Sequence, residues 1–223
     1  MKKTLPIFLL ALVFGAVSIG IFLALGFSGT VSVPGISYDT ILPDEKIDDL
    51  VPKSSKELMF ELSPRGNEYS VIGVSSSVSR IVIPATYGDD ELPVTSVAEN
   101  AFAGDRSLVS VELPSSVLEI CDGAFSDCKK LKSIRLDGIA IIGERAFYGC
   151  CDLADTVLPL SLNAVGDFAF FGCTSMRRIF CEAEAKPSGW SDCWCGYTGV
   201  EVLWRESWLY IGNIPTLDPV PRS

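Results

Sequence analysis

Eight cysteines are the residues of this 223-residue chain best suited to chemistry, and they stand beside no histidine at all. A nucleophilic thiol needs a neighbouring base or cation to hold it as thiolate. Without imidazole there is no Cys-His pair, no Ser-His-Asp triad and no histidine metal site. Cys193-Trp194-Cys195, with Cys181 upstream, offers a disulfide or, less well, a zinc site. Zinc fits poorly because cysteines one residue apart miss the usual knuckle spacing. Asp44-Glu45 and Asp48-Asp49 are the acidic pairs to consider for calcium or acid–base work. Either use needs further ligands converging on them. They lie in a stretch broken by Pro34-Gly35, Pro43 and Pro52, so a solvated spacer is the expected role. No catalytic, cofactor-binding or metal residue is therefore assigned, no cofactor is expected, and an exported carboxylate hydrolase is the least favoured reading. Trp190, Trp194, Trp204 and Trp208 crowd the last part of the chain, either as a sugar or peptide platform or as a cap over apolar surface.

The elements that carry these residues begin with an apolar run. Met1-Lys2-Lys3 precedes a charge-free segment from Leu5 to Phe27. At ~1.5 Å per residue that length crosses a hydrocarbon core of about 30 Å. Residues 1–27 are expected to be a signal anchor with the lysines cytoplasmic, or a signal peptide cleaved near Ala24-Leu25-Gly26. Everything beyond would then be extracytoplasmic. Residues 28–56 read as a linker, 57–210 as the folded domain and 211–223, with Pro215, Pro219 and Pro221, as a flexible tail. The net charge is −10, and it becomes −12 once Lys2 and Lys3 are set aside. Nucleic acid, which needs a basic stripe, is not an expected partner.

A repeat fills the middle. Ala-Phe recurs as Ala101-Phe102, Ala124-Phe125, Ala146-Phe147 and Ala169-Phe170, at intervals of 23, 22 and 23 residues. Five residues before each phenylalanine stand Val97, Ile120, Ile142 and Val165, and six after it stand Leu108, Leu131, Leu153 and Met176. Three after it the column runs Asp105, Cys128, Cys150, Cys173. Val78, Ile81 and Ile83-Pro84 match the strand part of an earlier, partial unit.

Segments such as Ser110-Val111-Glu112-Leu113 alternate with period two and predict one half-buried strand per unit, stacked into a parallel sheet. Thr95-Ser96-Val97 and Leu118-Glu119-Ile120 predict a second strand row. The Ala-Phe stretch predicts a short helical turn covering the core. Phe102, Phe125, Phe147 and Phe170, with Cys128, Cys150 and Cys173, are the expected repeat core. A single unit cannot bury these side chains, and stacking removes them from water. Ladder thiols ~4.8 Å apart lie beyond disulfide range, so they are expected to stay reduced. The outward residues of the first strand row are the candidate protein-binding face: Arg80 and Val82, Ser110 and Glu112, Ser133 and Arg135, Asp155 and Val157, Arg178 and Phe180.

The run Leu113-Pro114-Ser115-Ser116-Val117-Leu118-Glu119-Ile120-Cys121-Asp122-Gly123-Ala124-Phe125-Ser126-Asp127-Cys128-Lys129-Lys130-Leu131 resembles the BspA-like leucine-rich repeat, also called the Treponema-type repeat. The resemblance covers about residues 58–204 and departs at Cys121, where glycine is usual, and at Asp105, where cysteine is usual. It implies a leucine-rich-repeat solenoid, with Leu58–Gly73 as an opening hairpin cap and Phe180–Trp190 as a closing segment. It further implies a surface or secreted protein of a host-associated microbe, engaged in adhesion or protein binding. The expected partner is an unidentified host or bacterial surface or matrix protein, with membrane contact only through the N-terminal segment. The alternative is a structural ectodomain that assembles with other envelope or membrane proteins.

Overall fold

The computed structural model describes residues 57–196 and 199–217. The expected anchor, the linker and the last six residues lie outside this range. Among the described residues no helix is long and apolar enough to cross a membrane.

Two strand rows run along a solenoid. One begins with β1 (Leu58–Leu62) antiparallel to β2 (Tyr69–Val74) and continues in parallel through β5 (Leu92–Val97), β7 (Glu119–Ile120), β9 (Ile141–Ile142) and β11 (Ala164–Val165). The short β4 (Thr86–Tyr87) pairs antiparallel with β5. The other row is formed by two parallel ladders. The first holds β3 (Arg80–Val82), β6 (Ser110–Glu112) and β8 (Ser133–Ile134). The second holds β10 (Thr156–Leu158), β12 (Arg178–Cys181) and β13 (Glu201–Leu203). The repeat thus supplies two strands per turn, as the two segments of alternating residues require.

The third face differs from the expected helical turn. The Ala-Phe stretch of each of the first three units is a chain of three β-turns on alternate residues, and the fourth keeps the last two. In the second unit their bonds run from Ala124 N to Cys121 O, from Ser126 N to Gly123 O and from Cys128 N to Phe125 O. Two backbone columns explain why no helix forms. Asn100, Gly123, Arg145 and Phe168, two residues before each phenylalanine, all have positive φ. So do Gly104, Asp127, Gly149 and Gly172, two residues after it. A left-handed residue at the third position of a turn is the mark of type II, and it interrupts a right-handed helix. The freed amides bond between turns of the solenoid instead. Phe102 N donates to Ala124 O, Phe125 N to Ala146 O and Phe147 N to Ala169 O, each at 2.8 Å.

The core is a stack of like residues. Phe102, Phe125, Phe147 and Phe170 are buried, and successive rings lie 5.1, 5.4 and 5.2 Å apart within 13° of parallel. At ~25 cal/mol per Å2 of buried apolar surface, a large ring at this position is a major local contribution. At one end Phe60 stacks on Tyr87 with Tyr69 edge-on. At the other, Trp194 meets Phe170 edge-on at 6.0 Å and packs with Trp190. The indole of Trp190 donates to Leu162 O. Trp190 and Trp194 are buried at this end and cap the array, with half-buried Trp204 packed on Trp190, while Trp208 is buried in a separate small core with Phe180 and Leu203.

The expected tail also differs. β14 (Trp208–Ile211) and β15 (Ile214–Leu217) form an antiparallel hairpin, so residues 211–217 are strand and turn. Gly212 has positive φ at the first central position of its two-residue turn, as a type II′ hairpin requires.

Candidate binding face

The outward residues of the β3–β13 row form two columns, set by strand register. Arg80, Ser110 and Ser133 are in register, as are Val82 and Glu112. Farther along, Val157 pairs with Phe180, and Phe180 with Leu203. Between the columns, Ile81, Val111, Ile134 and Ile179 point inward and are buried. The alternation that places them inside places their neighbours outside.

The ten expected face residues separate into two groups. Over the first ladder, Arg80, Ser110, Glu112, Ser133 and Arg135 line an open groove of about 780 Å3, with Asp137 at its edge. Arg80 pairs with Glu112 across the rungs, and Arg135 with Asp137 at 3.1 Å. Both pairs are exposed and so contribute little to stability. Val82 lies half-buried at the first rung.

Over the second ladder the expectation needs correction. Phe180 is buried, not presented: it packs with Leu203, Trp208 and Val157 in a separate small core. The cause is the C-terminal hairpin, which lies on this part of the row. Trp208 meets Phe180 edge-on at 5.3 Å, and its indole donates to Cys181 O at 3.1 Å. Tyr210 donates to Glu182, and the Arg205 guanidinium lies 4.9 Å over the Trp208 ring. Asp155 serves the fold, accepting from Arg177 N and Arg178 N at 2.8 and 2.9 Å, while Arg178 lies 3.6 Å from its second oxygen. A second groove of about 530 Å3 runs between this row and the hairpin, where Arg135, Asp155 and Val157 face Tyr210, Asn213 and Pro215.

Asp137, Tyr210 and Asn213 were not among the expected residues. The sequence does carry a signal for the hairpin: Trp208 to Ile211 and Ile214 to Leu217 are β-rich runs around Gly212-Asn213. Pro215 obscured it, yet proline is tolerated in an edge strand such as β15.

The ladder thiols are structural. Cys128, Cys150 and Cys173 are free and buried. Each donates to the phenylalanine carbonyl of the preceding unit: Cys128 to Phe102 at 3.0 Å, Cys150 to Phe125 at 3.1 Å and Cys173 to Phe147 at 3.2 Å. Burial pushes the Cys128 and Cys173 thiols up to about 12 and raises Cys150 as well. Such a thiol is a poor nucleophile. In the first unit Asp105 takes the column position and accepts from Ser107 N and Leu108 N, closing the same turn with a carboxylate.

The model of the BspA type leucine rich repeat region matches residues 76–189 in six copies. The chain belongs to this family. Among solved structures, this BspA-type chain is similar to a leucine-rich repeat protein from Bacteroides ovatus, with 29% identity and a TM-score of 0.53. That match covers 68% of this chain but only 37% of the Bacteroides ovatus protein. A leucine-rich repeat protein from Bacteroides capillosus matches at 24% identity and a TM-score of 0.52, over 59% of this chain and 98% of its own, and shares the fold. The leucine-rich repeat protein of T. pallidum matches at 26% identity and a TM-score of 0.48, over 70% and 82% of the two chains. No functionally curated protein matches the chain.

Proposed function

We propose that this BspA-type repeat protein is displayed outside the cytoplasmic membrane and binds a protein partner along the open groove from Arg80 to Asp137. The groove carries the reading. It is a long strip of alternating charged and hydroxyl side chains on a rigid sheet, with buried apolar residues beneath and no converging acid and base. Such a surface suits recognition by many dispersed contacts rather than bond-making at one point. The hairpin wall, with Tyr210 and Asn213, gives the groove a defined end. Display is supported by the apolar run from Leu5 to Phe27 behind Lys2 and Lys3, with the segment up to residue 56 as spacer.

The test uses the full chain, immobilised and exposed separately to host matrix proteins and to envelope proteins of the producing cell. Capture of a matrix protein that weakens about tenfold with Arg135→Glu supports adhesion through this groove. Capture of envelope proteins alone would favour the structural ectodomain. Capture that ignores Arg135→Glu and Glu112→Arg alike would remove the groove from consideration. An intact mass from the native membrane fraction distinguishes the anchored from the cleaved form.

A further inference from the structure

The turn face carries a feature that the strand-row groove does not use. The residue after each core phenylalanine points outward, and this column runs Ala103, Ser126, Tyr148, Phe171. Tyr148 and Phe171 stack at 5.4 Å and 16°, and Phe168 meets Phe171 edge-on at 5.9 Å. The outer ring ladder then stops: one unit before Tyr148 stands Ser126, whose small side chain leaves a ring-sized step. Ser126, Asp127, Arg145, Tyr148, Phe168 and Phe171 together line a notch of about 460 Å3.

Backbone strain is concentrated at the same place. Arg145 has φ 52° and Phe168 φ 56°. The equivalent positions of the two earlier units hold Asn100 and Gly123, residues that accept this conformation readily. Bulky side chains in the left-handed region are kept where they serve a site. Here they bring a guanidinium and a third aromatic ring to the notch.

We propose that this notch binds a neutral pyranose sugar. A pyranose has an apolar C–H face and a rim of hydroxyls. The face would continue the ring ladder over Tyr148, where a protein ring would otherwise sit. The rim needs both kinds of hydrogen-bonding partner, and the notch supplies them: Arg145 only donates, the Asp127 carboxylate only accepts, and the hydroxyl of Ser126 does either. Among the described residues nothing donates to the Asp127 carboxylate, while Arg145 lies 3.4 Å from Glu144. Two carboxylates against one guanidinium disfavour an anionic sugar. An aromatic side chain of a partner protein would leave three polar groups of the notch unused.

Saturation-transfer NMR on the full chain tests this with glucose, galactose, mannose and glucuronate, with p-cresol as the aromatic control. Transfer to the ring C–H protons of at least one neutral sugar is expected. Ser126→Tyr, which extends the outer ladder into the notch, should abolish it, and Asp127→Asn should weaken it about tenfold. Both variants should melt with the parent, since Ser126 faces outward and asparagine accepts the backbone of Asp127. Tyr148→Ala should lose the signal independently. No transfer to any neutral sugar, transfer to glucuronate or p-cresol alone, or transfer undiminished in both Ser126→Tyr and Tyr148→Ala would overturn the proposal.

Discussion

At the scale of single residues, the cysteine column and the left-handed column make opposite demands. The buried thiols lower the free energy of the fold by staying neutral. An unfolded thiol titrates at 9.0, whereas Cys128 and Cys173 in the fold titrate at about 12. Below pH 9 both states hold the proton and the stabilisation is complete. Between pH 9 and 12 only the unfolded chain loses it, so stability falls across that window. A melting temperature that declines over this range, and declines less steeply when all three ladder cysteines are alanine, is the expected result. In the native state these thiols should also resist Ellman's reagent until guanidinium is added, whereas half-exposed Cys151 reacts at once. At Arg145 the demand is steric. A left-handed conformation costs a non-glycine residue ~1–2 kcal/mol, and glycine regains part of that at an entropic cost in the unfolded chain. Arg145→Gly is therefore expected to raise stability by up to about 1 kcal/mol. Thermal melting of the single variant decides this, and a lower melting temperature would show that the arginine side chain stabilises its turn.

At the scale of the element, each solenoid turn is held by what it places on its neighbours. Gly166 lies so close to the turn before it that a Cβ there would approach Glu144 N to 2.4 Å and Gly143 C to 2.7 Å. Backbone cannot yield as a flexible side chain does, so Gly166→Ala is expected to cost ~1–3 kcal/mol, the range for overpacking. Its counterpart Cys121→Gly, in the same column, should be close to neutral. Phe125→Ala removes the middle of a parallel ring stack and is expected to cost ~3–5 kcal/mol. Urea melts of these three variants test the ranking, and a Phe125→Ala melt indistinguishable from the parent would refute the core assignment. These elements were legible because repetition multiplies the signal: Val97, Ile120, Ile142 and Val165 define one strand row four times over. The form of the Ala-Phe turn was not legible. Its bonds run partly to the next unit, and its left-handed positions are occupied by arginine and phenylalanine as well as by glycine. Nothing local in Glu144-Arg145-Ala146-Phe147 announces a type II turn.

At the scale of the whole molecule, the C-terminal hairpin decides how much of the strand row is available. The alternating pattern marks Arg80 through Phe180 as one continuous face, because period-two alternation within a strand carries no information about what packs over it. The part at Phe180 is covered instead, by a hairpin whose anchor Trp208 stands nearly thirty residues farther along the chain, while Asp155 and Val157 still line the second groove. The hairpin is held by one large anchor. Trp208 is buried against Phe180 and Leu203 and tied to Cys181 O, whereas Ile211, Ile214 and Leu217 around the turn remain exposed. Trp208→Ala therefore removes most of the buried contact while leaving the repeats intact. Truncation of a buried tryptophan costs ~3–5 kcal/mol where the surroundings cannot collapse. That loss falls on the hairpin alone, because the ring touches the outside of the strand row and not the phenylalanine stack. The hairpin is expected to detach, uncovering Phe180, Leu203 and Val157 as a contiguous apolar patch of the kind that drives association. Sedimentation velocity should then show concentration-dependent self-association, and hydrogen exchange should rise at residues 208–217 with the amides of Phe125 and Phe147 still protected. A variant that stays monomeric with a protected hairpin would mean that the Arg205, Tyr210 and Glu182 contacts suffice to hold it. Loss of protection throughout the array would mean that the hairpin is part of the cap rather than a cover laid on a solenoid already complete.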